Sequence, residues 1–390
     1  MRKLRILAIG HSYVLRVNRA IAREVARDPA FEVTIGAPRF FHGDLRPIEC
    51  EPEPTDSPLN LVQIPAYWTK RIHVFRYSRK PLSRLILEGR FDGIHAWEEP
   101  YIFAGYQIAR LAKRSRSPFC FQTDQNLSKP YPPPFSFFEK SCVRNSHRWI
   151  ACGRSVFNNV ISRDYPVEHG CVLAHAVDTN AFRPAPESER DEVRRQLKLQ
   201  SPVIGFVGRL VPAKGLRILM QALENLDARL SWSLILLGSG EMQAEIEQWA
   251  ARLGWQHKIK IHLAKHDDVP RYLAAMDLLV APSQTMPNWK EQFGRMLIEA
   301  FACGVPVIAS DSGEIPFVVD NTGLIVPEAN VPAWSKAIGT MLRDSDLRER
   351  LRAAGLARVD AFSAKQVASE YRGFYVDLAT HSIAGAETSS

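Results

Sequence analysis

The sequence predicts an α/β protein built as two facing, doubly wound, Rossmann-like domains with an interdomain cleft. Three observations carry that expectation. The chain has 390 residues, more than one hydrophobic core usually serves, so two domains are expected. Its opening alternates strand, helix and strand: an apolar run at residues 4–9 ends at Gly10, a turn and a helix follow through Val25, and residues 31–36 are apolar again. The alternation restarts at Val203-Ile-Gly-Phe-Val-Gly208, so the second half repeats the plan of the first.

Composition narrows the class. At 46% hydrophobic and 24% charged residues, the chain reads as an ordinary soluble globular protein. No apolar run approaches bilayer length. The basic start, Met1-Arg-Lys-Leu-Arg5, precedes a short apolar run without a small-residue cleavage site, so it reads as a first buried strand rather than a signal peptide. The six cysteines form no C-x-x-C pair, and reduced thiols in a cytoplasmic protein are expected. The net charge of +8 is uneven. Residues 1–185 hold 27 Lys and Arg against 17 Asp and Glu, and the remainder holds 23 against 25. A basic first half suits anionic lipid or a phosphorylated acceptor, with peripheral attachment to the inner membrane face. No helix-turn-helix, zinc finger or aromatic-basic RNA motif accompanies the charge, so nucleic acid is not an expected partner.

The stretch richest in chemistry is Glu291-Gln-Phe-Gly-Arg-Met-Leu-Ile-Glu299. Met296, Leu297, Ala300 and Phe301 recur at helical spacing, and Gly304 supplies a stop. Glu291 is therefore expected just outside a helix N-terminus and Glu299 within the helix. The amides of Phe293 and Gly294, with the helix dipole behind them, make an anion site. Eight residues of helix advance about 12 Å. Two carboxylates flanking an anion site suit a nucleotide sugar, whose hexose and ribose flank a diphosphate. By itself E-x7-E is commonly a solvated helix face. A second anion cue lies in Gly208-Arg209-Leu-Val-Pro-Ala-Lys214-Gly215, a turn at a strand's carboxyl end with two cations. There Arg209 can grip a diphosphate bidentately.

Glu291-x7-Glu299, followed by Ala302-Cys-Gly-Val-Pro-Val-Ile-Ala-Ser310 and Ser312-Gly-Glu-Ile-Pro316, resembles the signature of family-four retaining glycosyltransferases (glycosyl transferases group one, GT-B fold). The turn resembles that family's G-R-x-x-x-x-K-G motif. The resemblance implies a retaining, metal-independent transfer of a sugar from a nucleotide-diphosphate donor to a hydroxyl acceptor, a glycan or a lipid-linked envelope or polysaccharide precursor. Glu291 would meet the hexose and Glu299 the ribose. Arg209, Lys214 and the helix amides would offset the charge of the leaving group. Gly208, Gly238 and Lys265 fall where relatives line the donor, Lys265 near the base. No Asp-x-Asp motif stands out, no cofactor is implied, and no protein nucleophile is assigned.

On the acceptor side the resemblance is looser. Gly10 ends the first strand, and His95-Ala-Trp-Glu-Glu-Pro100 ends another. Many relatives carry a histidine where Gln122 stands, so the neighbouring Gln125 and Asn126 become candidates for sugar or acceptor hydrogen bonding. Ala174, His175 and Ala176 replace the family's Pro-Asn-Gly. The expected organisation is an acceptor-side domain at 1–185, a charged linker at 186–200, a donor domain at 201–361, a helix crossing back at 362–380 and a mobile tail at 381–390. Two other readings stay open. One is a non-catalytic sugar-nucleotide-binding protein, hinted at by Gln122. The other is a different enzyme on the same architecture, a sugar-nucleotide epimerase or a phosphorylase, although the latter needs a pyridoxal lysine. The lack of G-x-G-x-x-G after the first strand argues against a dinucleotide oxidoreductase.

Overall fold

The computed structural model describes residues 2–43 and 47–387, with side chains through residue 380. The chain forms two compact units. The first takes the residues up to His175 together with those from Ala364 on, and the second is Ala176–Ser363.

The first unit is organised by a seven-stranded parallel sheet. Its spatial order is Gly170–Val172, Arg148–Ala151, Phe119–Thr123, Gly93–Ala96, Leu4–Ile9, Phe31–Pro38 and Asn60–Ile64. Central strands are apolar on both faces, as a sheet covered by helices on both sides requires. Chain order reverses between Leu4–Ile9 and Gly93–Ala96, which makes the carboxyl ends of those two strands the place where ligands bind in such sheets. The helix expected after Gly10 begins only at Ala20, after two short 3₁₀ turns at His11–Val14 and Arg16–Arg19. The long helix Ala364–Glu387 packs on Ala20–Ala26, and Leu378 is fully buried. That helix covers most of the stretch expected as a mobile tail; residues 388–390 of that expectation lie outside the described residues.

The second unit repeats the plan with six parallel strands, in the order Ile259–His262, Ser233–Leu237, Val203–Val207, Leu278–Ala281, Val307–Ser310 and Leu324–Val326. Its switch point falls between Val203–Val207 and Leu278–Ala281.

The charged stretch expected as a linker is instead the helix Glu187–Leu197, part of the second unit. Its charges are used in packing. Arg194 and Arg190 reach the Asp277 carboxylate at 2.9 and 3.3 Å, Arg194 also donates to the Ala275 carbonyl, and Asp277 accepts the Val203 amide at 2.6 Å. Sequence polarity suggested solvent. In the fold, one acid at the start of a strand gathers the arginines onto the unit's edge.

Candidate functional site

Two loops meet at the second unit's switch point. One leaves Val203–Val207 through Gly208, Arg209 and the 3₁₀ turn Pro212–Lys214. The other leaves Leu278–Ala281 through Pro282 and Ser283. Gln284 N donates to the Ala213 carbonyl at 2.8 Å, tying the loops together. Gly215 makes that approach possible: its φ is +72°, and a Cβ there would lie 1.7 Å from the Pro282 carbonyl oxygen. Further backbone bonds, Gly208 N to Leu237 O, Leu210 N to Ser239 O and Gly238 N to His262 O, fix the neighbouring turns. Arg209 is therefore held on a rigid turn and is half-buried.

The junction brings two of the expected residues into contact. Lys214 Nζ lies 2.6 Å from Glu291 Oε2, and Ser283 Oγ donates to the same oxygen at 2.7 Å. Both charged side chains are largely enclosed, at 13% and 8% exposure. The Lys214 ammonium also stands 4.8 Å from the centre of the Trp289 ring, a cation–π contact. A tight turn presents that ring: Met286 and Trp289 exchange backbone hydrogen bonds around Pro287 and Asn288, residues suited to turn centres.

The helix behind Glu291 is shorter than its sequence spacing implied. It spans Arg295–Ala302, with Gly294 as its N-cap, and Phe293 is buried against Phe362. Residues 291–294 are not helical, so the expected eight-residue helical rise between the two glutamates does not apply. Only Arg295 to Glu299 climbs the helix, about 6 Å. Glu299 is half-buried; burial raises its pKa above the usual carboxylate value, and Arg295, one turn earlier, opposes that shift. Lys265 is exposed beyond the edge strand Ile259–His262, two strands removed from the Lys214 turn. The sequence does contain one Asp-x-Asp, Asp344-Ser345-Asp346, which the expectation overlooked. It opens the helix Ser345–Arg358, where the Asp344 side chain accepts the Leu347 amide as an N-cap.

In the first unit, two expected acceptor-side residues are packing residues. His95 is 1% exposed, and its Nδ1 lies 2.9 Å from the Tyr375 hydroxyl of the last helix. Burial lowers its pKa to about 3. Gln122 is buried with its Oε1 accepting from Tyr371 of the same helix at 3.1 Å. Both pack against Ala364–Glu387 and are enclosed by it. Gly10 sits at the switch point, where a Cβ would meet the Trp97 carbonyl oxygen at 2.7 Å.

Gln125 and Asn126 are buried in a loop anchored by Glu99, which the expectations missed. Glu99 accepts Asp124 N and Thr123 Oγ1, each at 2.7 Å, and Gln125 Nε2 at 3.3 Å. Burial, then the Asp124 charge, pushes the Glu99 pKa up to about 7. Because that pKa is raised above its unfolded value, Glu99 favours folding below about pH 4.5 and loses that advantage as pH climbs through 7. Relative to Glu99→Gln, the wild type should therefore lose about 1–3 kcal/mol of stability between pH 5 and 8. Urea denaturation at both pH values measures it, and parallel profiles for the two proteins would contradict it.

Also missed was Glu98, whose side chain is fully buried. Its Oε1 accepts the Tyr77 hydroxyl at 2.8 Å and the His11 amide at 2.7 Å, and its Oε2 lies 2.6 Å from His11 Nδ1. The result is a carboxylate-oriented imidazole at the first unit's switch point, a quarter exposed and lying against Phe41. The acidic pair after Trp97 was visible in sequence; its partner 87 residues away was not. Among the described residues one trio, Asp124, Cys152 and His175, brings potential metal ligands within 4.8 Å of one another. His175 Nε2 and Asp124 Oδ1 already face each other at 3.3 Å.

Residues 188–358 match the family model described as glycosyl transferases group 1. A GDP-mannose-dependent monoacylated alpha-(1-6)-phosphatidylinositol monomannoside mannosyltransferase of Corynebacterium glutamicum is 34% identical over 48% of this chain and 51% of its own length. A D-inositol 3-phosphate glycosyltransferase of Xylanimonas cellulosilytica is 29% identical over 72% of this chain and 66% of its own. The chain spans about half the length of most of the curated relatives it matches. Among solved structures, a glycosyltransferase from Rickettsia africae superposes with a TM-score of 0.76 at 17% identity, covering 97% of this chain and 99% of that one. The Anabaena Alr3699/HepE protein in complex with UDP and glucose gives 0.73 at 19%, covering 96% and 100%. At these identities the likeness is one of fold. The fold is thus that of GT-B glycosyltransferases, and within it residues 188–358 are similar to glycosyl transferases group 1.

Proposed function

We propose that the protein is a retaining, metal-independent glycosyltransferase that moves a sugar from a nucleotide-diphosphate sugar to a hydroxyl of a glycan or lipid-linked acceptor. In this reading it works at the cytoplasmic face of an anionic membrane. The observation that carries the reading is the enclosed Lys214–Glu291–Ser283 junction at the second unit's switch point, beside a helix N-terminus. The lipid and inositol acceptors in the names of the relatives support the acceptor class. No helix among the described residues is long and apolar enough to cross a membrane, and the basic first half supports peripheral attachment.

The chemistry follows from the junction. An ammonium has three donors and Lys214 directs one to Glu291, so others remain for phosphate oxygens. Lys214 and Arg209 then stabilise the charge that develops on the diphosphate as the glycosidic bond breaks. The Glu291 carboxylate, fixed by Lys214 and Ser283, accepts hydroxyls of the hexose and sets its orientation. Glu299, further along the helix, takes the ribose.

The test is transfer, or donor hydrolysis, by purified protein across a panel of GDP and UDP sugars. The product should keep the donor's anomeric configuration, and turnover should survive excess chelator. An inverted product would refute retention; activity lost to chelator and restored by magnesium or manganese would refute metal independence. Nucleoside diphosphate binding without any turnover across the panel would favour the non-catalytic alternative.

The two glutamates separate by ligand. Glu291→Gln should lower donor turnover about a hundredfold, yet bind bare nucleoside diphosphate as well or better, because Lys214 loses a competing anion. Glu299→Gln should weaken the bare nucleotide about tenfold, the worth of a charged hydrogen bond. Calorimetry and turnover on both variants decide it, and the reverse pattern would exchange the two roles.

A further inference from the structure

The first unit carries a cluster of arginines on elements other than those that form the Lys214 junction. A cavity of about 600 Å³ is lined by Arg76, Arg79, Arg110 and Arg114, with Tyr67 and Tyr106 on its walls and no Asp or Glu in its lining. Three elements build it. The two-stranded hairpin of Ala66–Tyr67 with Arg76–Tyr77 places Tyr67 directly opposite Arg76. The helix Arg79–Glu88 adds Arg79 from its first turn. The helix Phe103–Ser115 adds Tyr106, Arg110 and Arg114 at four-residue spacing, one face of that helix. Among the described residues no carboxylate pairs with any of the four arginines. Two arginines one turn apart repel, so this face costs stability unless an anion occupies it.

The rim is the second observation. Trp68 is 60% exposed, Tyr67 52% and Phe137 58%, large aromatics that a soluble surface does not ordinarily present together. The Arg76 guanidinium is stacked 4.4 Å from the Trp68 ring centre, and Phe137 meets Tyr106 edge-on at 5.6 Å. Lys70 and Arg71 are exposed at the hairpin's tip. Aromatic rings around a cationic pocket match the two layers of a membrane surface, anionic headgroups above and the acyl boundary below.

We propose that this face docks on an anionic phospholipid bilayer, with a headgroup phosphate in the four-arginine cavity and Tyr67, Trp68 and Phe137 at the interface. The inference rests on the peripheral enzyme proposed above and gives that attachment a place. Each of these arginines is then worth about fivefold in affinity for an anionic leaflet.

The experiment is vesicle sedimentation with phosphatidylglycerol–phosphatidylcholine mixtures and with pure phosphatidylcholine, at low and high salt. The wild type should bind the anionic vesicles at least tenfold more tightly, and high salt should weaken the binding. The double variant Arg110→Ala/Arg114→Ala should lose about twenty-five-fold, and Trp68→Ala should bind more weakly while keeping its salt dependence. A thermal unfolding midpoint no lower than that of the wild type, with unchanged nucleoside diphosphate affinity, establishes that each variant is folded. Equal binding to both vesicle types, or an unaffected double variant, would overturn the assignment. So would calorimetric binding of glycerol 3-phosphate without vesicle binding, which would make the cavity a site for a soluble phosphate. Vesicle binding needs no turnover. An inactive protein that binds vesicles would sink the proposed transfer and leave this inference standing; an active one that ignores them would sink this inference, with the membrane location it rests on, and leave the transfer standing.

Discussion

Gly215→Ala should lower the thermal unfolding midpoint by about 6–12 °C, the shift produced by about 3 kcal/mol in a domain of this size, and should abolish measurable nucleoside diphosphate binding. Two costs combine. A left-handed backbone at a non-glycine residue costs about 1–2 kcal/mol. The added Cβ would also sit 1.7 Å from the Pro282 carbonyl oxygen, so the Lys214 turn and the Ser283 loop must part. Gly254 supplies the control. Its φ of +70° is nearly the same, but a Cβ added there would have nothing within 4 Å. Gly254→Ala should therefore cost only the backbone contribution and leave nucleotide binding intact. Differential scanning calorimetry and titration of both variants measure the contrast; equal, small effects would show that the two loops can separate without consequence.

Lys214→Ala is the second large effect. It removes a diphosphate cation and strands the Glu291 carboxylate in a largely enclosed position with Ser283 as a remaining partner. Breaking such a pair from one side costs about 3–5 kcal/mol, and the lost charged contact weakens nucleoside diphosphate about ten- to a hundredfold. Adding Glu291→Gln should restore part of the stability, because no unpaired charge is left behind, but none of the affinity. Urea denaturation of the wild type, the two single variants and the double variant closes the cycle. Additive losses would mean that the 2.6 Å contact carries no coupling. Restored affinity in the double variant would mean that Lys214 does not hold the diphosphate.

What could be read from sequence, and what could not, divides by range. The strand–helix alternation and the Lys214 and Glu291 motifs are local patterns, each set by residues close to one another along the chain. The structure adds that Lys214 and Glu291 are each other's partners across 77 residues, which no local pattern conveys. The same limit explains the misplaced residues. His95 and Gln122 sit at the right strand ends for a site, but tyrosines 280 and 249 positions later claim them. Glu98 was overlooked because its worth lies in His11 and Tyr77, both distant in sequence. The helix Glu187–Leu197 read as linker because the acid that holds its arginines, Asp277, lies more than 80 residues away.

The discontinuity of the first unit bears on how the protein is made. Residues 364–387 emerge from a ribosome only after the whole of Ala176–Ser363, yet Tyr371, Tyr375 and Leu378 are what cover Gln122, His95 and Gly93. The second unit is contiguous and can complete its own sheet as it is synthesised. The first cannot. For as long as translation takes to traverse the codons of Ala176–Ser363, its oldest strands wait with one face unroofed. That interval, rather than any property of the finished fold, is when nascent chains would be most exposed to chaperones and to one another.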